Sequence, residues 1–197
     1  MTAPVYGLVL AGGHSSRMQR DKATLSYHGR SQLEWAVDLL RAQLARVCVS
    51  VRSDQLADPA RARFDCIPDT LSNAGPIAGI VAAQFRHPEA AWLVVACDLP
   101  FLDAATLAFL LAHRDPRRQA TAFRSSHDGL PEPLCALYEP ASAPAIAAHV
   151  AGGQTCPRKF LRRADALLLD EPNPRALDNI NTPDEHGAAL SALAAAP

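Results

Sequence analysis

The chain has 197 residues, with 19 Lys plus Arg against 20 Asp plus Glu and a formal net charge of −1. Its 49% hydrophobic and 20% charged residues exclude a disordered chain, and the length suits a single domain over 1–197 that needs no staple for its core. Near-neutral charge argues against a broad nucleic-acid or anionic-membrane surface, and no apolar run of about 18 residues exists to span a bilayer.

Val5 to Leu10 is short and nearly all apolar, which predicts a strand covered on both faces; no basic segment precedes it, so it does not read as a signal peptide. Ser31 to Ala45 places Leu33, Ala36, Val37, Leu40 and Leu44 at helical spacing, opened by a Ser31/Glu34 capping box. Val47 to Arg52 and the shorter Phe64 to Ile67 read as strands. A helix follows over Ile77 to Phe85, a buried strand over Trp92 to Ala96, and a helix from Asp103 to His113. This alternation predicts an α/β fold, a parallel sheet with helices on both faces.

The second half is less regular. Strands over Ala120 to Arg124 and Leu134 to Tyr138 bracket a polar loop with Gly129, Pro131 and Pro133. Helices are expected over Ser142 to Val150 and Pro157 to Ala164. Thr182-Pro183-Asp184-Glu185 combines an N-cap, proline at the first helical position and glutamate at the third, so a last helix starts there. The five cysteines (Cys48, Cys66, Cys97, Cys135 and Cys156) form no C-x-x-C and read as buried thiols of a cytosolic protein; the seven histidines are dispersed, which argues against zinc.

Leu10-Ala11-Gly12-Gly13-His14-Ser15-Ser16-Arg17-Met18-Gln19-Arg20-Asp21-Lys22 follows the first strand directly. That places it at the carboxyl edge, where open α/β sheets bind ligands. Two glycines let backbone amides approach an anion, Ser15 and Ser16 add donors, and Arg17, Arg20 and Lys22 add positive charge, a set suited to a triphosphate. The spacing matches neither the P-loop nor the dinucleotide fingerprint; a plain glycine turn followed by solvated charges is the competing reading. Asp98 closes the strand ending at Ala96 and fits a magnesium site completed by substrate phosphates. Asp69, after the third strand, faces the same edge, and Gly75-Pro76-Ile77-Ala78-Gly79 reads as a turn into a helix whose N-terminus meets the ligand.

Taken together, Leu10-Ala11-Gly12-Gly13-x-Ser15-x-Arg17-Met18, Asp21-Lys22, Gly75-Pro76-Ile77-Ala78-Gly79, Cys97-Asp98-Leu99-Pro100 and Asn179-Ile180-Asn181-Thr182-Pro183-Asp184-Glu185 resemble, in order, the motifs of the molybdenum cofactor guanylyltransferases. Pro133 to Tyr138 is also similar to a segment of that family. The resemblance implies a Rossmann-like three-layer α/β/α nucleotidyltransferase that moves GMP from GTP onto molybdopterin and releases pyrophosphate in the cytoplasm. It also implies Mg²⁺ as cofactor, and partner proteins that deliver molybdopterin and receive the product.

By position, Leu10, Ala11, Gly12, Gly13, Ser15, Lys22, Ser50, Asp69, Gly75 and Asp98 would bind the nucleotide. Arg17, Lys22 and Asp98 would carry catalysis, with Asp98 holding the metal, while Asn179, Asn181 and Thr182 would lie on the molybdopterin side. Gln19 and Ser50 depart from the glycine and asparagine usual there. A CTP-dependent relative, a sugar-phosphate nucleotidyltransferase and a non-catalytic nucleotide-binding regulator are the alternatives; Ala11-Gly12-Gly13 resembles the guanylyl branch, whereas the cytidylyl branch carries Ala-Ala-Gly.

Overall fold

A computed structural model describes residues 2–13, 21–180 and 182–194. Among the described residues seven strands form one sheet: β1 (Val5–Leu10), β2 (Val47–Val51), β3 (Cys66–Pro68), β4 (Ala91–Ala96), β5 (Ala120–Arg124), β6 (Pro131–Tyr138) and β7 (Ala166–Asp170). Their spatial order is β3-β2-β1-β4-β6-β5-β7, and only β6 runs against the rest. The expected mostly parallel α/β/α arrangement is therefore the one observed.

Successive strand residues point to opposite faces, and each face has its own core. Val9, Val49 and Val95 pack with Leu33, Val37 and Leu40 of α1 (Gln32–Arg41) and Leu107 and Leu110 of α3 (Ala104–Ala112). Leu8, Cys48 and Val94 pack on the other side. There they meet Ile77, Ile80 and Ala83 of α2 (Pro76–Arg86), Ile146 of α4 (Ala143–Ala151) and Phe160 of α5 (Pro157–Leu161). The last helix, α6, spans Pro183–Ala194. Among the described residues no helix is long and apolar enough to cross a membrane.

Local signals explain most boundaries. The Ser31 hydroxyl accepts from the Glu34 amide while Glu34 accepts from the Ser31 amide, the expected capping box. Asp103 caps α3 by accepting from the Thr106 amide at 2.7 Å. Four expectations need correction. First, α1 stops at Arg41 rather than Ala45, yet the Leu44 amide still donates to the Leu40 carbonyl at 2.8 Å, so Leu44 keeps its apolar register from a following turn. Second, α5 ends at Leu161, with the Ala164 amide still donating to Phe160 at 3.0 Å.

Third, Pro131 and Pro133 belong to β6, not to a loop. In that stretch β6 pairs only with β5, past a register shift at Ala122/Phe123, because its pairing with β4 covers Cys135 to Tyr138. An edge of this kind tolerates residues without an N–H. Fourth, Cys48, Cys97 and Cys135 are buried, but Cys66 is half-buried and Cys156 exposed where it precedes α5. Strand β7 went unanticipated.

Candidate functional site

The register fixes the site. Leu10 lies opposite both Ser50 and Ala96, so β1, β2 and β4 end in line and release Ala11, Arg52 and Cys97-Asp98 at one edge. Two cavities open there. One, about 940 Å³, is lined by Leu10 to Gly13, Lys22, Ser50, Arg52, Asp69 and the start of α2. The other, about 1000 Å³, is lined by Phe101, Glu132, Arg158, Arg175, Asn179 and Ile180 among others. Asp98, Gly75, Ala96 and Leu134 line both, so the cavities meet at Asp98.

Lys22 reaches this junction from a short 3₁₀ turn, Lys22–Thr24, which Asp21 caps by accepting from the Ala23 amide at 3.0 Å. Its ammonium donates to Asp98 Oδ2 at 2.8 Å, with both side chains mostly buried at 17% and 21% exposure. The Ile180 amide donates to the Asp98 carbonyl at 3.1 Å, tying the segment before α6 to the same residue. Beside them burial, then the negative charge of Asp98, pushes the Tyr27 phenol up to about 12, so it stays a neutral hydroxyl. His28 Nε2 donates to the Pro100 carbonyl at 2.9 Å, holding the chain just beyond Asp98.

The opposite wall is built by close approach. The Ser50 hydroxyl donates to Asp69 Oδ1 at 2.7 Å. A Cβ at Gly12 would stand 3.2 Å from Asp69 Oδ2 and 3.4 Å from the Arg52 amide nitrogen, so glycine lets this carboxylate close on the loop. Burial raises the Asp69 carboxyl pKa, against the opposing pull of Ser50 and Arg52. Gly75, with φ +66°, turns the chain into α2; that left-handed conformation favours glycine. Gly79 packs so tightly on β1 and β2 that a Cβ would meet Ser50 Oγ at 2.2 Å.

The sequence-derived set is thus largely assembled: Leu10, Ala11, Gly12, Gly13, Lys22, Ser50, Asp69, Gly75 and Asp98 share one cavity, and Asn179 lines the other. Thr182 instead caps α6, its hydroxyl accepting from the Glu185 amide at 3.3 Å. Ser15, Arg17, Gln19 and Asn181 lie outside the described residues. No group of three or more metal-ligating side chains converges among the described residues. A lone carboxylate at the cavity junction fits a cation that takes its other ligands from phosphate oxygens and water, as magnesium does.

Two arginines escaped notice in the sequence. The sequence places Arg52 at the end of a strand, yet β2 ends at Val51 and Arg52 donates to the Gly12 carbonyl at 2.8 Å; its place at a strand end is the available signal. Arg61 lies fully buried, in an Ala- and Arg-rich stretch with no motif to single it out.

Residues 7–167 match the family model described as MobA-like NTP transferase domain. A molybdenum cofactor guanylyltransferase of Rhizobium meliloti is 37% identical over 195 residues, covering 90% of this chain and 87% of that protein. A molybdenum cofactor biosynthesis bifunctional protein of Synechocystis sp. is 33% identical over 93% of this chain, which spans about half (53%) of that longer protein. The molybdopterin-guanine dinucleotide biosynthesis protein A of Archaeoglobus fulgidus has the same fold, with a TM-score of 0.78 at 23% identity, covering 96% of this chain and 98% of that one. With most of its length matched by the family model, the chain belongs to the MobA-like NTP transferase domain family and is a nucleotidyltransferase.

Proposed function

We propose that this chain transfers GMP from GTP to molybdopterin, releasing pyrophosphate. The observation that carries the reading is the meeting of two cavities at Asp98 and Lys22, one walled by a glycine loop and a helix N-terminus, the other open to a second substrate. GTP would occupy the first, its phosphates against the amides of Gly12 and Gly13 and the start of α2. Molybdopterin would occupy the second, with its terminal phosphate at the junction.

A phosphate oxygen of molybdopterin then attacks the α-phosphorus in line. The new O–P bond forms as the bond to the bridging oxygen of the β-phosphate breaks, and that electron pair leaves with pyrophosphate. No enzyme nucleophile is needed, so the chain contributes positioning and charge stabilisation. Lys22 would neutralise charge gathering on the transferred and leaving phosphates. Asp98 would hold Mg²⁺, which when bound supplies Lewis-acid neutralisation of the phosphates. Lys22 and Asp98 are paired to each other, which holds both at the junction.

Gly12 supports GTP over CTP through its resemblance to the guanylyl branch. Alanine there, the form resembling the cytidylyl branch, would crowd Asp69 and Arg52. Pyrophosphate release measured with molybdopterin and either GTP or CTP tests the reading. GTP supporting faster turnover is expected, and preference for CTP, or release independent of molybdopterin, would overturn it.

A further inference from the structure

We propose that Arg61 is a positioning residue for the nucleotide phosphates, acting through the backbone of the glycine loop and through Asp21 rather than by touching the ligand. The inference rests on the reading above that the glycine-lined cavity takes a nucleoside triphosphate. The Arg61 side chain has no exposed surface, which removes it from direct contact with a ligand in the cavity. Its Nε and Nη2 both donate to the Ala11 carbonyl, at 3.3 and 3.1 Å. Nη2 also donates to Asp21 Oδ2 at 2.6 Å, and Nη1 donates to Asp58. One planar guanidinium therefore holds residues 11 and 21, on either side of the glycine-rich signature, and anchors both to Asp58.

Both contacts bear on the phosphates. In a trans peptide the C=O and N–H point to opposite sides. Holding the Ala11 carbonyl towards buried Arg61 therefore turns the Gly12 N–H away from it, and Ala11 and Gly12 both line the cavity. Arg52 repeats the device one residue on, holding the Gly12 carbonyl at 2.8 Å and so turning the Gly13 N–H away. At the other end, Asp21 gives one oxygen to Arg61 and the other to the Ala23 amide, capping the turn that carries Lys22 to Asp98. A fork with fixed geometry can serve these acceptors together, and a lysine ammonium cannot match it. Buried arginine beneath the loop thus aims two kinds of phosphate donor, backbone amides and Lys22.

The test compares affinity for GTP with affinity for guanosine, each measured by inhibition or direct titration with Mg²⁺ present. Arg61→Lys keeps the buried charge but loses the fork. The expected result is unchanged guanosine affinity with GTP affinity at least tenfold weaker, a folded far-UV spectrum, and a drop in kcat/KM for GTP without a change in the KM for molybdopterin. If Arg61→Lys does not fold, Asp21→Asn serves instead: it keeps an oxygen for the cap but removes the charged acceptor, and the same selective loss is expected. A folded variant whose GTP-to-guanosine affinity ratio equals that of the wild type overturns the role of Arg61. A wild-type protein that binds GTP and CTP no better than their nucleosides overturns the nucleotide reading itself.

Discussion

Asp98 and Lys22 carry opposite charges 2.8 Å apart at the meeting point of two cavities, and their removal tests the proposed chemistry apart from folding. Asp98→Ala is expected to lower kcat by about 10³-fold, and Lys22→Ala by about 10²–10³-fold, as removal of charge-stabilising groups does elsewhere; steady-state kinetics with far-UV spectra check both. Gly79→Ala is the contrasting case. Its new methyl would meet Ser50 and Leu10, at 2.2 and 2.8 Å, in a packed helix–strand contact. Overpacking there should cost about 1–3 kcal/mol in urea unfolding.

Asp69 tests whether the site is built at the expense of stability. Its pKa is raised in the folded protein, so the folded state binds that proton more tightly than the unfolded chain does. The carboxylate therefore costs nothing below the unfolded value, and its cost grows as pH rises through the folded pKa. Asp69→Asn keeps an acceptor for Ser50 and should melt above the wild type at pH 7, with the gain vanishing below about pH 4, while nucleotide affinity falls. Equal melting temperatures at pH 7 would contradict this. Asp98, Lys22 and Gly12 were legible because strand ends and glycine turns have fixed places on an α/β sheet. Arg61 was not, because nothing in an Arg-Ala-Arg stretch marks which guanidinium the fold will bury.

Among the elements, α1 shows how local signals set boundaries. Glu34 bonds the Ser31 amide at 2.9 Å and its hydroxyl at 2.6 Å, and pairs with Arg63 at 2.7 Å. These contacts, led by the Ser31 hydroxyl, lower its pKa from 4.5 to about 2. A depressed carboxylate stabilises the fold above its unfolded value and loses that contribution as pH falls towards its folded one. Glu34→Gln keeps the capping-box oxygen but loses the charge, and should therefore be less stable than the wild type by about 0.3–1 kcal/mol at pH 7, the range for a carboxylate in the first turn of a helix. The gap should close between about pH 4.5 and about pH 2 in denaturant titrations.

Helices with caps and strands with continuous apolar runs could be read directly. The Pro131 to Pro133 start of β6 could not, because tolerance of these prolines depends on β4 being too far along to pair with them, whereas Leu134 to Tyr138 reads as a strand from its apolar run. Ala166 to Asp170 was equally hidden: the half-buried edge strand β7 gains its identity from pairing with β5 alone.

For the whole molecule, the order β3-β2-β1-β4-β6-β5-β7 puts the ends of β1, β2 and β4 side by side, with the reversed strand β6 next to β4. Leu134 of β6 lines both cavities, so the reversal helps to divide them. A chain of net charge −1 can still hold polyanions when its donors gather in one cleft rather than over a surface. In the proposed reaction nucleotide and acceptor meet at Asp98. Following radiolabel from GTP in the presence of molybdopterin tests it most directly. Label at the α-phosphate should pass to molybdopterin in the wild type and about 10³-fold more slowly in Asp98→Ala, while label at the γ-phosphate leaves with pyrophosphate. Transfer of γ-label to the acceptor, or undiminished α-transfer by Asp98→Ala, would contradict the account.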